Sequence, residues 1–390
     1  MWLKIEADLD SKLKISWGSN AGIYPLFYKV GADAVRVRAE QLRLELSALA
    51  KWSLTKGPGQ PVAPHPTMVR LATLGSKLHF LLFNDPDKCR EIGELKTWIN
   101  DEFEGGDHQL TIQADSSIHV PWGLVFDGRV PTLADSAAEP GEQLAQYGGF
   151  WCLKYHLSAH QRGFVRSRAK MRRDRSSFGL LSLVNPEVTA KFTSAEYSDF
   201  VEILHPPLGV ANDLERCQHL LNTESQADIL LYFFGHHKDA TLDLGKGNLI
   251  DFESFSELMD SLNTRSAVQG GSCCSLVFLN ACESAVGKAD VSIRSATVRP
   301  ALCGAIATES LVPRKYAAKF GRRFLEALTR QGKSVADAMY ELQHDPQLWP
   351  ESLFYGCYAH PDYRIEPPQP SASTGSISPI EPQLSAALPS

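Results

Sequence analysis

The sequence predicts an α/β protein: a parallel-rich sheet flanked by helices, with an amino-terminal α/β subdomain before it and a disordered tail after it. Three observations predict this. From residue 178 onward, short apolar runs at 178–184, 229–234, 276–279, 302–307 and 353–358 alternate with helical or loop stretches. Runs such as Leu276, Val277, Phe278 and Leu279 are continuous rather than alternating, which is the pattern of strands covered on both faces. Two of these runs stop abruptly, one at Gly235, His236 and His237, the other at Asn280, Ala281 and Cys282. Titratable side chains then lie at the carboxyl edge of the sheet, where open α/β folds bind ligands.

Composition sets the outer bounds. A chain of 390 residues, 43% hydrophobic and 22% charged, can bury one large core or two ordinary ones. Net charge is −6, so nothing in the overall balance points to nucleic acid as the main partner. No stretch approaches the ~18 apolar residues of a transmembrane helix, and Met1 to Glu6 lacks the order of a signal peptide. The expectation is a cytoplasmic protein without a membrane partner. Its eight cysteines (89, 152, 217, 273, 274, 282, 303 and 357) are scattered and read as reduced thiols. The adjacent Cys273 and Cys274 are read as small core or loop residues.

Residues 3–17 alternate apolar and polar around Asp10 and Ser11, a hairpin with one apolar face. A helix follows, with Asp33 as its N-cap and Val35, Ala39, Leu42, Leu46 and Leu49 on its buried side. Residues 57–66 are a Pro- and Gly-rich loop. Residues 77–83 and 109–114 read as strands with an acidic helix at 88–103 between them, and Pro121 and Trp122 close a further strand. His108 and His119 have no second ligand-type residue at a metal spacing and read as ordinary histidines. The predicted units are a subdomain at 1–160, a basic linker at 161–177, a catalytic unit at 178–365 and a tail at 366–390. The linker carries seven cations between Arg162 and Arg175, which repel one another and predict a solvated helix or a protease-sensitive loop. Stretches at 194–204 and 214–222 can supply crossover helices. Helices at 316–331 and from Ser334 follow, Gly332 ending the first and Ser334 with Asp337 forming the capping box of the second. The Pro- and Ser-rich tail has too little apolar surface to offset its ordering entropy.

Chemistry concentrates at the two strand ends. A cysteine nucleophile needs a histidine that raises its thiolate fraction, and neighbouring strand ends bring Cys282 and His236 face to face. The His236 and Cys282 segments together resemble the motifs of the CHAT family, caspase-like cysteine peptidases related to caspases, separases and gingipains. Residues 178–186, 303–339, 353–356 and, upstream, 118–124 are similar to further segments of that family, in the same order. The resemblance implies a caspase-like fold and a cysteine endopeptidase without metal or cofactor. Cys282 would attack the peptide carbonyl, His236 would protonate the leaving amine, and the backbone N–H groups of Cys282 and of the residue after the histidine would hold the oxyanion. That residue is His237, where the family has glycine. The frame of the preceding residues favours His236 over His237 as the catalytic base.

The resemblance also implies a protein substrate cut after a basic residue, with Glu309 the best-placed carboxylate and Asp228 and Glu283 behind it. It further implies a regulatory protein partner encoded with the chain and a role in bacterial antiviral defence or regulated proteolysis, for example the activation of a gasdermin-like effector. Its alternative is a catalytically inactive module that acts as an interaction scaffold. A Rossmann-like fold would need a glycine-rich turn after the first strand, and residues 184–188 offer none. A metal hydrolase is disfavoured because adjacent histidines on a strand end point apart.

Overall fold

Alternation of apolar residues at the start of the chain produces an antiparallel hairpin of β1 (Trp2–Ala7) and β2 (Lys12–Ser19), with Leu3, Ile5, Leu13, Ile15 and Trp17 buried. The computed structural model describes residues 1–366 except 9, 20–21, 57–64, 84, 105–107, 116–117, 136, 138, 162–171, 175–177, 204–206, 224–227, 239, 269–274, 287–292 and 301. A third antiparallel strand, β3 (Gly22–Gly31), extends the hairpin. It contains Pro25, which a sheet tolerates on an edge strand and which hides the strand in the sequence. Helices α1 (Ala32–Thr55), α2 (His65–Leu82) and α3 (Cys89–Glu104) precede β4 (Gln109–Ala114). After α4 (Pro140–Gln146) and α5 (Trp151–Lys154), β5 (His156–Gln161) completes a five-stranded sheet of order β3-β2-β1-β4-β5.

Helix α1 buries the predicted face, from Val35 through Leu49, but its N-cap is Gly31 and Asp33 lies in the first turn. Residues 77–83 are not a strand. Met68, Leu71, Ala72, Gly75, Leu78 and Leu82 are buried at spacings of three and four, so the apolar run is the end of a helical stripe. Pro121 and Trp122 close no strand either. Trp122 opens a single 3₁₀ turn, Trp122–Leu124.

The second sheet is assembled from the alternating runs. After β6 (Arg172–Asp174) come β7 (Phe178–Val184), α6 (Pro186–Thr189), α7 (Ser194–Ile203), β8 (Pro207–Ala211), α8 (Leu214–Thr223) and β9 (Asp228–Phe234). A small sheet of β10 (His236–Lys238), β11 (Thr241–Asp243) and β12 (Leu249–Ile250) leads into α9 (Phe252–Val268). Then follow β13 (Ser275–Asn280), α10 (Ile293–Ala296), β14 (Leu302–Thr308), α11 (Arg314–Thr329), α12 (Val335–Gln343), β15 (Tyr355–Ala359) and β16 (Arg364–Glu366). The sheet order is β15-β14-β13-β9-β7-β8. All neighbours are parallel except β15, which runs antiparallel to β14. Strand β8 lies between the two predicted crossover helices, where Pro207 masks it.

Gly332 takes φ +65° after α11, as the end of a helix demands. Ser334 caps α12, accepting from the Asp337 N–H at 3.1 Å. The Asp337 carboxylate also pairs with His156 Nδ1 at 2.9 Å. Of the basic run, Arg172 to Asp174 pair with β16 and the rest lies outside the described residues, as do Cys273, Cys274 and the tail beyond residue 366. Among the described residues no helix is long and apolar enough to cross a membrane. The two sheets touch through buried polar bonds. Ser53 donates to Glu351 at 2.6 Å, Trp349 Nε1 to Gln143 at 2.9 Å, and Ser158 to the Ala359 carbonyl.

Candidate functional site

Strands β9 and β13 run side by side with Asn280 opposite Phe234, so the chain leaves both at one level of the same edge. His236 and Cys282 each follow two residues later. Gly235 makes the first exit: a Cβ there would lie 2.6 Å from the Asp243 carbonyl oxygen and 2.9 Å from the Phe233 ring, so only glycine lets β11 approach so closely. Antiparallel pairing then places His236 across from Asp243 and His237 across from Leu242. Successive residues of a strand face opposite ways. The His236 ring is accordingly exposed, whereas His237 is half-buried with Nδ1 2.9 Å from the Cys282 carbonyl oxygen.

The cysteine exit is tied down much more tightly. Asn280, fully buried, donates to the Tyr232 hydroxyl at 3.0 Å and the Ala317 carbonyl at 2.8 Å, and accepts from the Tyr355 hydroxyl at 2.7 Å. Helix α11 reaches this network because residue 321 is glycine: a Cβ would sit 2.6 Å from the Tyr232 hydroxyl. Beyond Cys282, Glu283 adopts φ +54°, a conformation that L-residues rarely occupy. The end of β14 and the residues after it hold this turn. Glu283 N–H donates to the Ser310 carbonyl at 2.9 Å, Ala285 N–H to the Thr308 carbonyl at 2.8 Å, and the Thr308 hydroxyl to the Ala281 carbonyl. The Ser284 hydroxyl donates to the Leu279 carbonyl at 2.8 Å.

Cys282 is half-buried, and its sulfur accepts from the Val312 N–H at 3.4 Å. Burial pushes the thiol above its ordinary value, the Val312 N–H pulls it back, and the Glu283 carboxylate adds to the rise. A thiol so placed is neutral at pH 7 and needs a base to become a nucleophile.

Glu309 follows β14 at the same edge. It is 4% exposed, and its Oε2 accepts from Arg43 Nε of α1 at 3.0 Å. Arg43 also donates to the His119 carbonyl at 3.3 Å, and Arg294 Nη2 lies 2.6 Å from His119 Nδ1. Burial draws the Arg294 guanidinium down to about 10, against the pull of Glu309. His119, an ordinary histidine by its sequence, is thus part of a charged cluster joining the two sheets. A cavity of about 930 Å³ opens beside it, lined by α1 and by Glu283 and Glu309. Asp228 stands elsewhere. It begins β9, and the seven residues of that strand put it about 20 Å from the edge that carries Cys282. Sequence reasoning missed Arg43, 266 residues before Glu309, and the Val312 N–H, a main-chain group without a side-chain signature.

No family model matches the chain, and no curated protein matches it. Solved structures do. One is the separase–securin complex of Saccharomyces cerevisiae, matched at a TM-score of 0.38 and 11% identity over 86% of this chain. This chain spans 23% of the length of the chain it matches there. A likeness of that size leaves the functional reading to this chain's own residues.

Proposed function

We propose that this protein is a caspase-like cysteine endopeptidase of the CHAT type, with Cys282 as nucleophile and the base drawn from the His236–His237 pair. The observation that carries the proposal is the meeting of the two strand ends. A histidine ring contacts the main chain of a half-buried cysteine whose sulfur already receives an N–H. In the motif frame His236 moves the proton to the leaving amine, and His237 positions the nucleophile by its bond to the Cys282 carbonyl. A second assignment exchanges the two, and one observation favours it: the ring that reaches the Cys282 turn is that of His237. The substrate of this proposal is a protein cut after a basic residue in a bacterial defence or regulated-proteolysis system, with an effector such as a gasdermin-like protein as target. Glu309 and Glu283, which border one cavity, are its candidate recognition carboxylates.

Cleavage of a library of fluorogenic peptides ending in Arg, Lys or Asp tests the reading. Wild-type protein cleaves basic-ended peptides and Cys282→Ala does not. Cleavage retained in folded Cys282→Ala, or absent from wild type on every peptide and protein offered, leaves the inactive scaffold in its place. Loss in His236→Ala with turnover kept in His237→Gly assigns the base to His236, and the opposite pattern assigns it to His237.

A further inference from the structure

Val312 and Ser310, two of the residues whose main chains grip the nucleophile's turn, belong to the segment that begins at Glu309. Ser310 accepts from the Glu283 N–H at 2.9 Å and Val312 donates to the Cys282 sulfur at 3.4 Å. Glu309 is anchored at both its ends. Its own N–H donates to the Phe354 carbonyl at 2.7 Å, and its buried carboxylate is held by Arg43 at 3.0 Å. Arg43 is fixed in turn, since its guanidinium also donates to the His119 carbonyl, beside which Arg294 stacks over the Tyr358 ring at 4.4 Å. We infer that Arg43, on the first long helix, is a positioning residue for the nucleophile: through Glu309 it fixes residues 310–312, and so the N–H that meets the Cys282 sulfur. This rests on reading Cys282 as the nucleophile.

The physical chain is short. Glu309 is 4% exposed, and a buried carboxylate that loses the guanidinium paired with it must either find another donor or move toward water. Movement of Glu309 shifts the peptide units next to it, and a sulfur–N–H contact weakens steeply with distance and angle. The thiolate of Cys282 then loses the Val312 N–H, the larger of the two main-chain bonds that favour it, while burial and Glu283 continue to oppose it. The neighbouring groups, His237 with its ring on the Cys282 carbonyl and Tyr355 at the start of β15, stay in place. The consequence is that the first half of the chain sets the reactivity of a residue in the second.

The test reads the thiol itself rather than peptide cleavage. The rate of Cys282 alkylation by iodoacetamide, followed by mass spectrometry of the Cys282 peptide, is measured from pH 6 to 10 in wild type, Arg43→Ala and Arg43→Lys. The expected result is a profile displaced to higher pH by about half a unit to one unit in Arg43→Ala, so that alkylation at pH 7 falls about three- to tenfold. Arg43→Lys restores most of it. Where Arg43→Ala does not fold, Arg43→Met, which fills the space of the arginine stem and still leaves Glu309 without its guanidinium, carries the same expectation. A wild-type profile in either folded variant overturns the inference and reduces Arg43 to a stabilising contact. An upward shift in a protein that cleaves no peptide sustains the positioning role while removing the peptidase reading.

Discussion

The first sheet fills its strands with Leu3, Ile5, Ile15, Leu110 and Ile112 and buries few polar groups, whereas the second buries Asn185, Asn280, Ser284, Thr308, Glu309 and Ser310 at or just beyond its strand ends. Both sheets carry helices and similar apolar cores, so stability alone does not ask for this asymmetry. A buried polar side chain is tolerated when hydrogen-bonded, and a set of them at one edge fixes main-chain groups in chosen directions. Here those directions converge on Cys282. The first sheet is scaffold by this measure, and the second is scaffold plus site.

The largest effect that would break the comparison is chemical. Cys282→Ala is expected to lower peptide cleavage by about a thousandfold or more with the circular dichroism spectrum unchanged, because a half-buried strand-end thiol leaves little cavity when truncated. Next is Asn280→Ala. It strands the Tyr232 and Tyr355 hydroxyls and the Ala317 carbonyl, and the expected loss is about 2–4 kcal/mol in urea unfolding together with a fall in turnover. An Asn280→Ala protein that lost stability but kept full turnover would detach the polar network from the site.

The first sheet's region has its own signature in acid. Burial is the main cause that lowers His79 to about 4, against Asp127, and His160 to about 4, with His360 adding to the drop. A histidine depressed in the fold takes up its proton in the unfolded chain first, so its stabilisation is complete above about 6.5 and fades as pH falls toward 4. Each is expected to remove about 2 kcal/mol between pH 7 and pH 5. His79→Gln and His160→Gln should each flatten the urea midpoint's dependence on pH over that range, and an unchanged slope would show that neither is neutral in the fold. The smallest effect is a control. Arg90 and Glu94 pair at 3.2 Å on an exposed face of α3, and Arg90→Ala should change stability by about 0.5 kcal/mol or less.

How much of this was legible follows from how local each signal is. The core strands β7, β9, β13 and β14 were readable because each is a continuous apolar run ending in polar residues. The run at 77–83 misled because seven residues of a helical stripe look like a strand when the preceding Met68, Leu71 and Gly75 are left out. Strands β3 and β8 were hidden by Pro25 and Pro207, and the antiparallel direction of β15 has no residue pattern at all. At the site, Cys282 and the histidine pair stood out as chemistry at strand ends. The Arg43–Glu309 pair did not, since nothing local at either residue indicates a partner hundreds of positions away. Glu309 was singled out as a carboxylate for an incoming arginine, and the chain's own arginine already bonds one of its oxygens.

The edge strand β5 lies against β15, with the Ser158 hydroxyl on the Ala359 carbonyl. During synthesis the first sheet can close as soon as residue 161 has emerged, yet the strand that covers its outer edge is nearly two hundred residues behind it. At a translation speed of roughly 5–20 residues per second, that edge stays open to other chains for about 10–40 seconds. An uncovered strand is a template for pairing with foreign strands. The chain therefore has a window of vulnerability on the ribosome that ends only when its last structured strands arrive, and a chaperone that shields β5 would serve it best in that interval.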